Sequence, residues 1–378
     1  MAKGVYIGVN SVARKAKKIY IGVGGTARKV RKAYVGVGGV ARLIFSETPE
    51  KVASVPQLLV PKLGIKVAYT GNYAVLANAG DASGYPIRSV EAYDTTLTKI
   101  TAPEINSDRE GMAPATIGGY ACFVGGTWYA TQSNYASMFR YDSALVRSTA
   151  SIPLAMARHA MAVARNTSYT FFLGGIQYND TYVRTATAMS DAFAGTSLAS
   201  LPSDMYAGLN TSVSTAAYAV FTGGVNVAYD NARVQIPFTD LGIYANTSAG
   251  ATLKNYILFA GGSKAGSISM NEVAVFDLNL TRVSTAVLSV AVRHAMSISR
   301  DDYCIIAGGT TAGTFNTATR TVVSFDTYLV RDDLEDLSIA KLSGCSFSIG
   351  DYGGFAGGYV SPDGISYGIS NSVDAYRF

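Results

Sequence analysis

The tetrapeptide FVGG at residues 123–126 is one of six copies of a short, mostly apolar run that ends in a double glycine. The other copies are FLGG at 172–175, FTGG at 221–224, FAGG at 259–262, IAGG at 306–309 and FAGG at 355–358, and a weaker one, LANAG, ends at Gly80. Between their last glycines, successive copies are separated by 46, 49, 49, 38, 47 and 49 residues. Such a period is typical of a repeat architecture with one supersecondary unit per copy. The chain of 378 residues therefore reads as one large domain with an N-terminal addition.

Two further signals recur after each double glycine. An aromatic residue followed by Asp ends an apolar run in EAYD at 91–94, FRYD at 139–142, VFD at 275–277 and SFD at 324–326, with looser copies in FTD at 238–240 and TAMSD at 187–191. A short strand-like segment follows in LTKIT at 97–101, LVRST at 145–149, LTRVS at 280–284 and LVRDD at 329–333. Because Asp commonly orders turns, the recurrence predicts a structural turn role for this residue.

This order of signals resembles kelch repeats, in which the double glycine lies on the second strand, and the resemblance covers nearly all of residues 50–378. It implies an all-β fold with a seven-bladed kelch-like β-propeller in residues 46–378. The last copy ends at VDAYRF, residues 373–378, with nothing after the third strand. We therefore expect residues 50–56 to supply the fourth strand of the last blade and leave no open edge. Family blades carry a Trp before the fourth strand, whereas the single Trp here, Trp128, follows a double glycine.

Residues 1–45 contain three copies of another phrase: VYIGVNSVARKAKK, IYIGVGGTARKVRK and AYVGVGGVARLIF. Each has an apolar run, a two-residue turn (10–11, 24–25 and 38–39) and a basic run, which predicts a small β-hairpin or meander module. A module with so little core needs a partner surface or copies of itself, so a homo-oligomer is one expectation.

The net charge of +5 belongs to these 45 residues alone, which hold ten Lys or Arg and no Asp or Glu. We interpret the clusters as anchoring residues: Arg14, Lys15, Lys17, Lys18, Arg28, Lys29, Arg31 and Lys32. Nucleic acid would use them as phosphate contacts, but no aromatic platform is interleaved with them. A solvated face or an acidic docking protein is therefore the favoured interpretation.

The phrase IYIGVGGTARKVRKAYVGVGG resembles the N-terminal repeats of tail-associated structural proteins from phages and prophages of Gram-positive gut bacteria. The resemblance covers about the first 45 residues. It implies a module that attaches to other virion proteins and carries the C-terminal domain as its payload. The start of the chain lacks the continuous apolar core of a signal peptide, and no apolar run is long enough to span a membrane. We therefore expect a virion protein that is made in the host cytoplasm.

No catalytic motif, metal-ligand cluster or cofactor signature is found in the sequence, so we predict no catalytic residue, no metal and no cofactor. His159 and His294 lie at equivalent places in two copies of RHAM, which favours a packing role. Cys122, Cys304 and Cys345 lie in apolar segments without a CxxC pair and are expected to be buried free thiols. A paired-carboxylate glycosidase remains open, because spatial pairs of Asp and Glu are invisible in sequence.

The loops after the double glycines carry the candidate ligand-binding residues. Aromatic rings beside amide groups suit stacking on sugar rings and hydrogen bonding to their hydroxyls. The candidates are Trp128, Tyr129, Tyr135, Tyr178, Asn179, Tyr182 and Tyr229. The leading hypothesis is a tail- or baseplate-associated virion protein whose propeller binds a host-surface glycan, as in receptor binding, or another virion protein. The alternatives are a propeller-fold carbohydrate-active enzyme and an intracellular protein-interaction propeller.

Overall fold

The computed structural model is all-β and divides into two compact units, residues 1–50 with Phe378 and residues 51–377. The two units are described separately. The structure describes residues 6–378 apart from these gaps: 10–11, 16–18, 24, 31, 38–39, 47, 129–130, 132, 152–153, 155, 206–210, 224–225, 238–246, 265–267, 313–316 and 362–367.

The N-terminal unit contains three antiparallel hairpins, one per sequence repeat. They pair Tyr6–Val9 with Val12–Lys15, Ile19–Val23 with Thr26–Val30, and Lys32–Val37 with Val40–Ser46. The closing pairs, such as Val9 with Val12, leave two residues for each turn, as the sequence predicts. Within the described residues each repeat pairs its own two strands, which is the β-hairpin form of the predicted module.

The described part of residues 51–377, completed by the strand Glu50–Lys51, forms seven antiparallel sheets, in which sequential strands lie side by side. The strands of sheets 1 to 4 are: sheet 1, Lys66–Thr70, Tyr73–Ala77, Val90–Asp94, Lys99–Ala102; sheet 2, Ala113–Ile117, Tyr120–Val124, Ser137–Tyr141, Arg147–Ser151; sheet 3, Ala162–Arg165, Thr170–Leu173, Ala186–Met189, Gly195–Ser197; sheet 4, Thr211–Ser214, Ala219–Thr222, Val227–Tyr229, Gln235–Pro237. Those of sheets 5 to 7 are: sheet 5, Ala249–Leu253, Tyr256–Ala260, Ile268–Asp277, Arg282–Val292, with the short Ser263–Lys264; sheet 6, Met296–Ser299, Tyr303–Ala307, Val322–Asp326, Arg331–Asp333; sheet 7, Cys345–Ile349, Tyr352–Ala356, Val373–Arg377, Glu50–Lys51.

Small strands extend the connecting loops. They pair Ala79–Gly80 with Pro86–Ile87, Thr127–Trp128 with Ser133–Asn134, and Tyr359–Val360 with both Lys341–Leu342 and Gly368–Ile369.

The fourth strand of sheet 7 comes from the opposite end of the sequence. Glu50–Lys51 lies beside Val373–Arg377 in this sheet. The Val52 N–H continues the pairing and donates to the Ala375 carbonyl at 2.8 Å. The strand lies inside the segment 50–56 and takes the place that a local fourth strand takes in the other sheets.

The first strands of the sheets contact one another in chain order, and that of sheet 7 contacts that of sheet 1. Hydrogen bonds accompany every step: Tyr69 N–H to Thr116 Oγ1, Arg165 Nη1 to the Thr116 carbonyl, Ser212 Oγ to the Val163 carbonyl, Thr211 Oγ1 to the Ser248 carbonyl, Ser297 Oγ to the Gly250 carbonyl, Arg300 Nη1 to the Gly350 carbonyl, and Ser348 N–H to the Tyr69 hydroxyl. Between sheets 7 and 1, Phe347 also stacks on Tyr93, with ring centroids 5.1 Å apart.

The double glycines bring each sheet close to the segment that leads into the next one. Gly126 N–H of sheet 2 donates to the Arg158 carbonyl ahead of sheet 3 at 3.1 Å. A Cβ on the preceding Gly125, whose φ is +71°, would lie 2.4 Å from that carbonyl oxygen. Only glycine fits such an approach and such a backbone conformation. The same bond recurs from Gly175 to Met205, Gly262 to Val292, Gly309 to Lys341 and Gly358 to Lys62. In sheet 1 the Asn78 amide replaces it and donates to the Arg109 carbonyl.

The aromatic-Asp motif is a turn between the third and fourth strands, as predicted. Asp94 Oδ1 accepts hydrogen bonds from the Thr96 and Thr98 N–H groups at 2.8 and 2.9 Å. Asp142, Asp230, Asp277 and Asp326 accept equivalent pairs. The turn at Asp230 makes AYD, residues 228–230, the third-strand end of sheet 4. The assignment of that role to FTD is therefore wrong, and residues 238–240 lie outside the described part of the chain.

Candidate binding site at one end of the sheets

The segments whose sequences differ most between repeats lie at one end of the sheets. Each first strand begins where the second strand ends, as in the pairing of Ala113 with Val124. The segments that lead into the sheets and the loops after the double glycines therefore lie at this end, which we call the loop end. The aromatic-Asp turns lie at the opposite end, because the third strand starts at the loop end and runs away from it.

In sheet 2 the loop end carries Trp128 and Tyr135. Trp128 is half-buried in a short strand that pairs with Ser133–Asn134. The Tyr135 ring is half-buried, and the Arg109 guanidinium lies 3.6 Å from its centroid. Because this cation–π contact occupies one face of the ring, Tyr135 has at most one face for a ligand. Trp128 is the better candidate of the two.

In sheet 3 the loop end carries Tyr178, Asn179 and Tyr182. Tyr178 is half-buried, and Asn179 is exposed, with its side-chain oxygen accepting from the Thr181 N–H at 3.3 Å. The Tyr182 side chain is 44% exposed, and its backbone bridges Ile176. This loop therefore presents an aromatic surface next to an amide.

His159 joins these two loops. Its Nδ1 lies 3.4 Å from the Asn134 side-chain oxygen in the sheet 2 loop. Its backbone N–H and carbonyl both bond Ile176 in the sheet 3 loop, at 3.1 and 2.9 Å. Burial lowers the pKa of His159, with Asp180 opposing it, so the imidazole is neutral at pH 7. His159 thus has the predicted packing role, since its contacts hold the two aromatic loops side by side.

Glu110 and Tyr85 also lie at the loop end and were missed in the sequence. Glu110 stands in the segment before sheet 2 at the position of His159, and burial raises the pKa of its half-buried carboxyl. Aligning REGM with RHAM would have revealed it. Tyr85, in the loop at 81–88 of sheet 1, is 71% exposed and is the most exposed of the described large hydrophobic side chains.

Tyr229 is not a surface residue, contrary to the sequence-based expectation. It ends the third strand of sheet 4 and is 1% exposed. Its ring stacks on Phe171 at 5.0 Å and meets Phe221 edge-on at 6.5 Å. Burial accordingly raises the pKa of Tyr229 to about 12. The physical reason is the misassigned third strand, since the aromatic residue before the turn Asp points into the core. Tyr129 lies outside the described residues.

The first strands of sheets 1 to 4 and the residues just before them line a partly open cavity of about 210 Å³ near the loop end. Its lining residues include Lys66, Met112, Pro114, Met161, Val163 and Ser212. No carboxylate belongs to the described lining, so the paired acidic residues of a glycosidase are not found in this cavity.

The basic residues of the N-terminal unit lie mostly on its hairpins. Arg14 and Lys15 end the second strand, Arg28 and Lys29 lie in Thr26–Val30, and Lys32 begins Lys32–Val37. Lys17, Lys18 and Arg31 lie outside the described residues. The anchoring role of the whole set stays a prediction.

The three cysteines are buried and unpaired, which confirms the expectation from sequence. In the part of the chain that the structure describes, no three His, Cys, Asp or Glu side chains converge in a way that could hold a metal ion. Nor does any helix among the described residues have the length and apolar character needed to cross a bilayer.

Comparison with known proteins gives a likeness of fold only. No family model matches the chain, and no curated protein matches its sequence. A solved structure of the protein YjhT is similar to it with a TM-score of 0.56 and 11% sequence identity. The similarity covers 74% of this chain and 99% of YjhT. At this identity the likeness concerns the arrangement of the strands and not the activity.

Proposed function

We propose that the seven sheets are the blades of a kelch-like, seven-bladed β-propeller. Three contacts between sheets 7 and 1 support this arrangement: Gly358 N–H to the Lys62 carbonyl, Ser348 N–H to the Tyr69 hydroxyl, and the stacking of Phe347 on Tyr93. Contacts of the first two kinds also join the sheets that follow one another in the sequence. A radial arrangement of such sheets leaves only short, protected edges, which are less prone to pairing with other chains.

The protein serves, in this proposal, as a tail- or baseplate-associated virion component. Residues 1–45 attach it to other virion proteins, and the propeller binds a host-surface glycan through the loop end of sheets 2 and 3. The observation that carries the binding role is the joining of two aromatic loops by His159, with Trp128 on one side and Tyr178 and Tyr182 on the other. Aromatic faces beside polar groups are the usual means of holding a sugar ring. The virion assignment depends on the N-terminal phrase.

A glycan array with the full-length chain tests the binding role. We expect a discrete set of bacterial surface glycans to bind, and Trp128→Ala and Tyr182→Ala each to weaken binding about tenfold or more. Tyr328→Ala is a matched control, because Tyr328 is 46% exposed in an aromatic-Asp turn at the opposite end. Equal loss in all three variants, or no glycan bound at all, would contradict the proposed site.

Immunogold labelling of particles from an induced lysate of the source strain tests the virion role, with antibody raised against residues 46–378. We expect gold at one fixed place on the particles. Gold confined to free protein would remove the virion assignment while leaving the glycan assay unaffected.

One observation favours the enzymatic alternative, a propeller-fold carbohydrate-active enzyme. The Glu110 carboxyl lies at the loop end with its pKa raised by burial, a property of general acids in glycoside hydrolysis. Such an enzyme would release sugar from the glycans bound on the array, and Glu110→Gln would abolish release while keeping binding. Binding without release by the wild-type chain would exclude it.

A further inference from the structure

Lys66 is a charged residue at a position where the other sheets have small or apolar ones. It begins the first strand of sheet 1 and pairs with Ala77. The residues at the same place in sheets 2 to 7 are Ala113, Ala162, Thr211, Ala249, Met296 and Cys345. All six are buried, whereas Lys66 is half-buried and lines the partly open cavity between sheets 1 to 4. A lysine at this position therefore introduces a positive charge into an otherwise uncharged layer.

The environment of Lys66 supplies no negative charge to balance its own. Among the described residues no carboxylate forms an ion pair with Lys66, in contrast with Lys62 and Lys341, which have Glu91 and Asp374. Burial lowers the pKa of Lys66, and among the described groups the Cys345 thiol opposes this effect. Burial raises the pKa of that thiol to about 12, so it is uncharged at pH 7. An ammonium without a counter-charge in such a place is costly.

The rest of the cavity wall suits a small organic molecule. Met112, Pro114, Met161 and Val163 provide apolar surface. The Ser212 hydroxyl donates to the Val163 carbonyl at 2.6 Å, so its remaining capacity is to accept. The volume of about 210 Å³ corresponds to roughly seven waters.

We propose that this cavity binds the carboxylate of a small hydroxylated acid, with Lys66 Nζ donating to the carboxylate oxygens and Ser212 Oγ accepting from a ligand hydroxyl. The carboxylate provides the missing counter-charge, and the apolar wall covers the carbon skeleton. The inference concerns the interior of the sheets and does not depend on the proposed glycan surface.

Thermal unfolding and calorimetry of the full-length protein test the proposal with sodium D-glucuronate and sodium acetate as probes and D-glucose as the uncharged analogue. We expect glucuronate to bind saturably and to raise the melting temperature, acetate to act more weakly, and glucose to have no effect. Lys66→Met should weaken glucuronate binding about tenfold or more. Without ligand this variant should be at least as stable as the wild type, because it removes a half-buried charge that no described carboxylate balances.

Two controls separate the site from general charge effects. Lys254→Met removes an exposed lysine at the opposite end of sheet 5 and should leave binding unchanged. In the wild-type chain, glucuronate should protect Lys66 from reductive methylation, read by mass spectrometry, which needs no variant. The proposal is overturned if neither carboxylate binds, if glucose or inorganic phosphate binds as tightly as glucuronate, or if Lys66→Met retains full affinity.

Discussion

Sheets 1 and 7 differ from sheets 2 and 3 in how they hold a basic side chain at one shared position. The segments that lead into these sheets place Lys62, Lys341, Arg109 and Arg158 at equivalent places. In sheets 1 and 7 the lysine meets a carboxylate of the third strand: Lys62 Nζ lies 2.7 Å from Glu91 Oε1, and Lys341 Nζ lies 2.9 Å from Asp374 Oδ2. In each of the two pairs, neither side chain is more than 2% exposed.

In sheets 2 and 3 the arginine has no carboxylate partner among the described residues. The Arg109 guanidinium lies over the rings of Tyr135 and Phe139. Arg158 is 0% exposed and donates to the carbonyls of Met156 and Phe172 at 3.2 and 3.3 Å, while its Nε is without a partner. Burial lowers the pKa of Arg158 to about 10.

The difference follows from how the chain connects the sheets. Sheets 2 and 3 are each built from consecutive strands, whereas in sheet 7 the third strand, Val373–Arg377, and the fourth, Glu50–Lys51, come from opposite ends of the sequence, and residues 52–65 then lead into sheet 1. Lys51 also lies 3.3 Å from Asp374, so this carboxylate joins that strand to Lys341. Removing one partner of a buried ion pair is strongly destabilising, because it leaves the other charge uncompensated. We infer that the pairs in sheets 1 and 7 define the pairing of the two chain ends.

The largest expected loss of stability comes from removing the carboxylate of Asp374, which contacts both Lys341 and Lys51. Asp374→Asn leaves Lys341 buried without a counter-charge and should lower the free energy of unfolding by about 3–5 kcal/mol. Urea unfolding measures it, with Asp333→Asn as the control, because Asp333 is 62% exposed in its ion pair with Arg331. The control should cost less than about 1 kcal/mol. Equal losses of stability in the two variants would show that the buried pair of Asp374 contributes no more than an exposed ion pair.

A smaller loss of stability is expected from substituting Gly357, which lies at the close contact between sheets 7 and 1. Gly357→Ala places a Cβ 2.6 Å from the Lys62 carbonyl at a φ of +62° and should cost about 2–4 kcal/mol in unfolding free energy. Gly84→Ala separates the two causes, because Gly84 has a φ of +80° and open space around it. It should cost only about 1–2 kcal/mol. Equal losses would mean that the close approach of sheets 7 and 1 is not tightly packed.

The contribution of Asp374 should also depend on pH. Burial opposes its ionisation, but Lys341 and Ser338 outweigh burial and hold the pKa of Asp374 below its ordinary value. Its contribution is therefore complete above about pH 4, the unfolded value, and is lost as the pH falls through the folded value. The stability difference between wild type and Asp374→Asn should shrink in acid. A difference that stays constant from neutral pH to about pH 3 would contradict this assignment.

The smallest effect is expected in sheet 3. Arg158→Met removes a buried charge that has no carboxylate partner and should change the unfolding free energy by less than about 1 kcal/mol. Lys341→Met leaves Asp374 with the more exposed Lys51 as its nearby cation and should cost clearly more. Comparable losses of unfolding free energy in both variants, measured by urea unfolding, would mean that the carboxylate partner of the basic residue makes no difference to stability.

The sequence predicted the features that depend on local geometry. Double glycines and turn-forming aspartates leave a signature because positive φ and side-chain turns restrict residue type at single positions. Tyr229 shows the limit of this approach, since a plausible copy of the motif at 238–240 hid the real one at 228–230. Lys66, Glu110 and the partners of Arg158 were not predicted, because their environments are assembled from several sheets. Aligning the starts of the first strands would have revealed Lys66 as the exceptional charge.

Hydrogen exchange tests the closure of the sheets most directly. The third strand of sheet 7, Val373–Arg377, has Glu50–Lys51 as its outer neighbour, whereas its counterpart in sheet 6, Val322–Asp326, pairs with the local strand Arg331–Asp333. If the two chain ends are firmly paired, the amides of both third strands exchange at similar, slow rates. Rapid exchange confined to Val373–Arg377 would mean that sheet 7 has an open edge, and it would contradict the proposed seven-bladed ring.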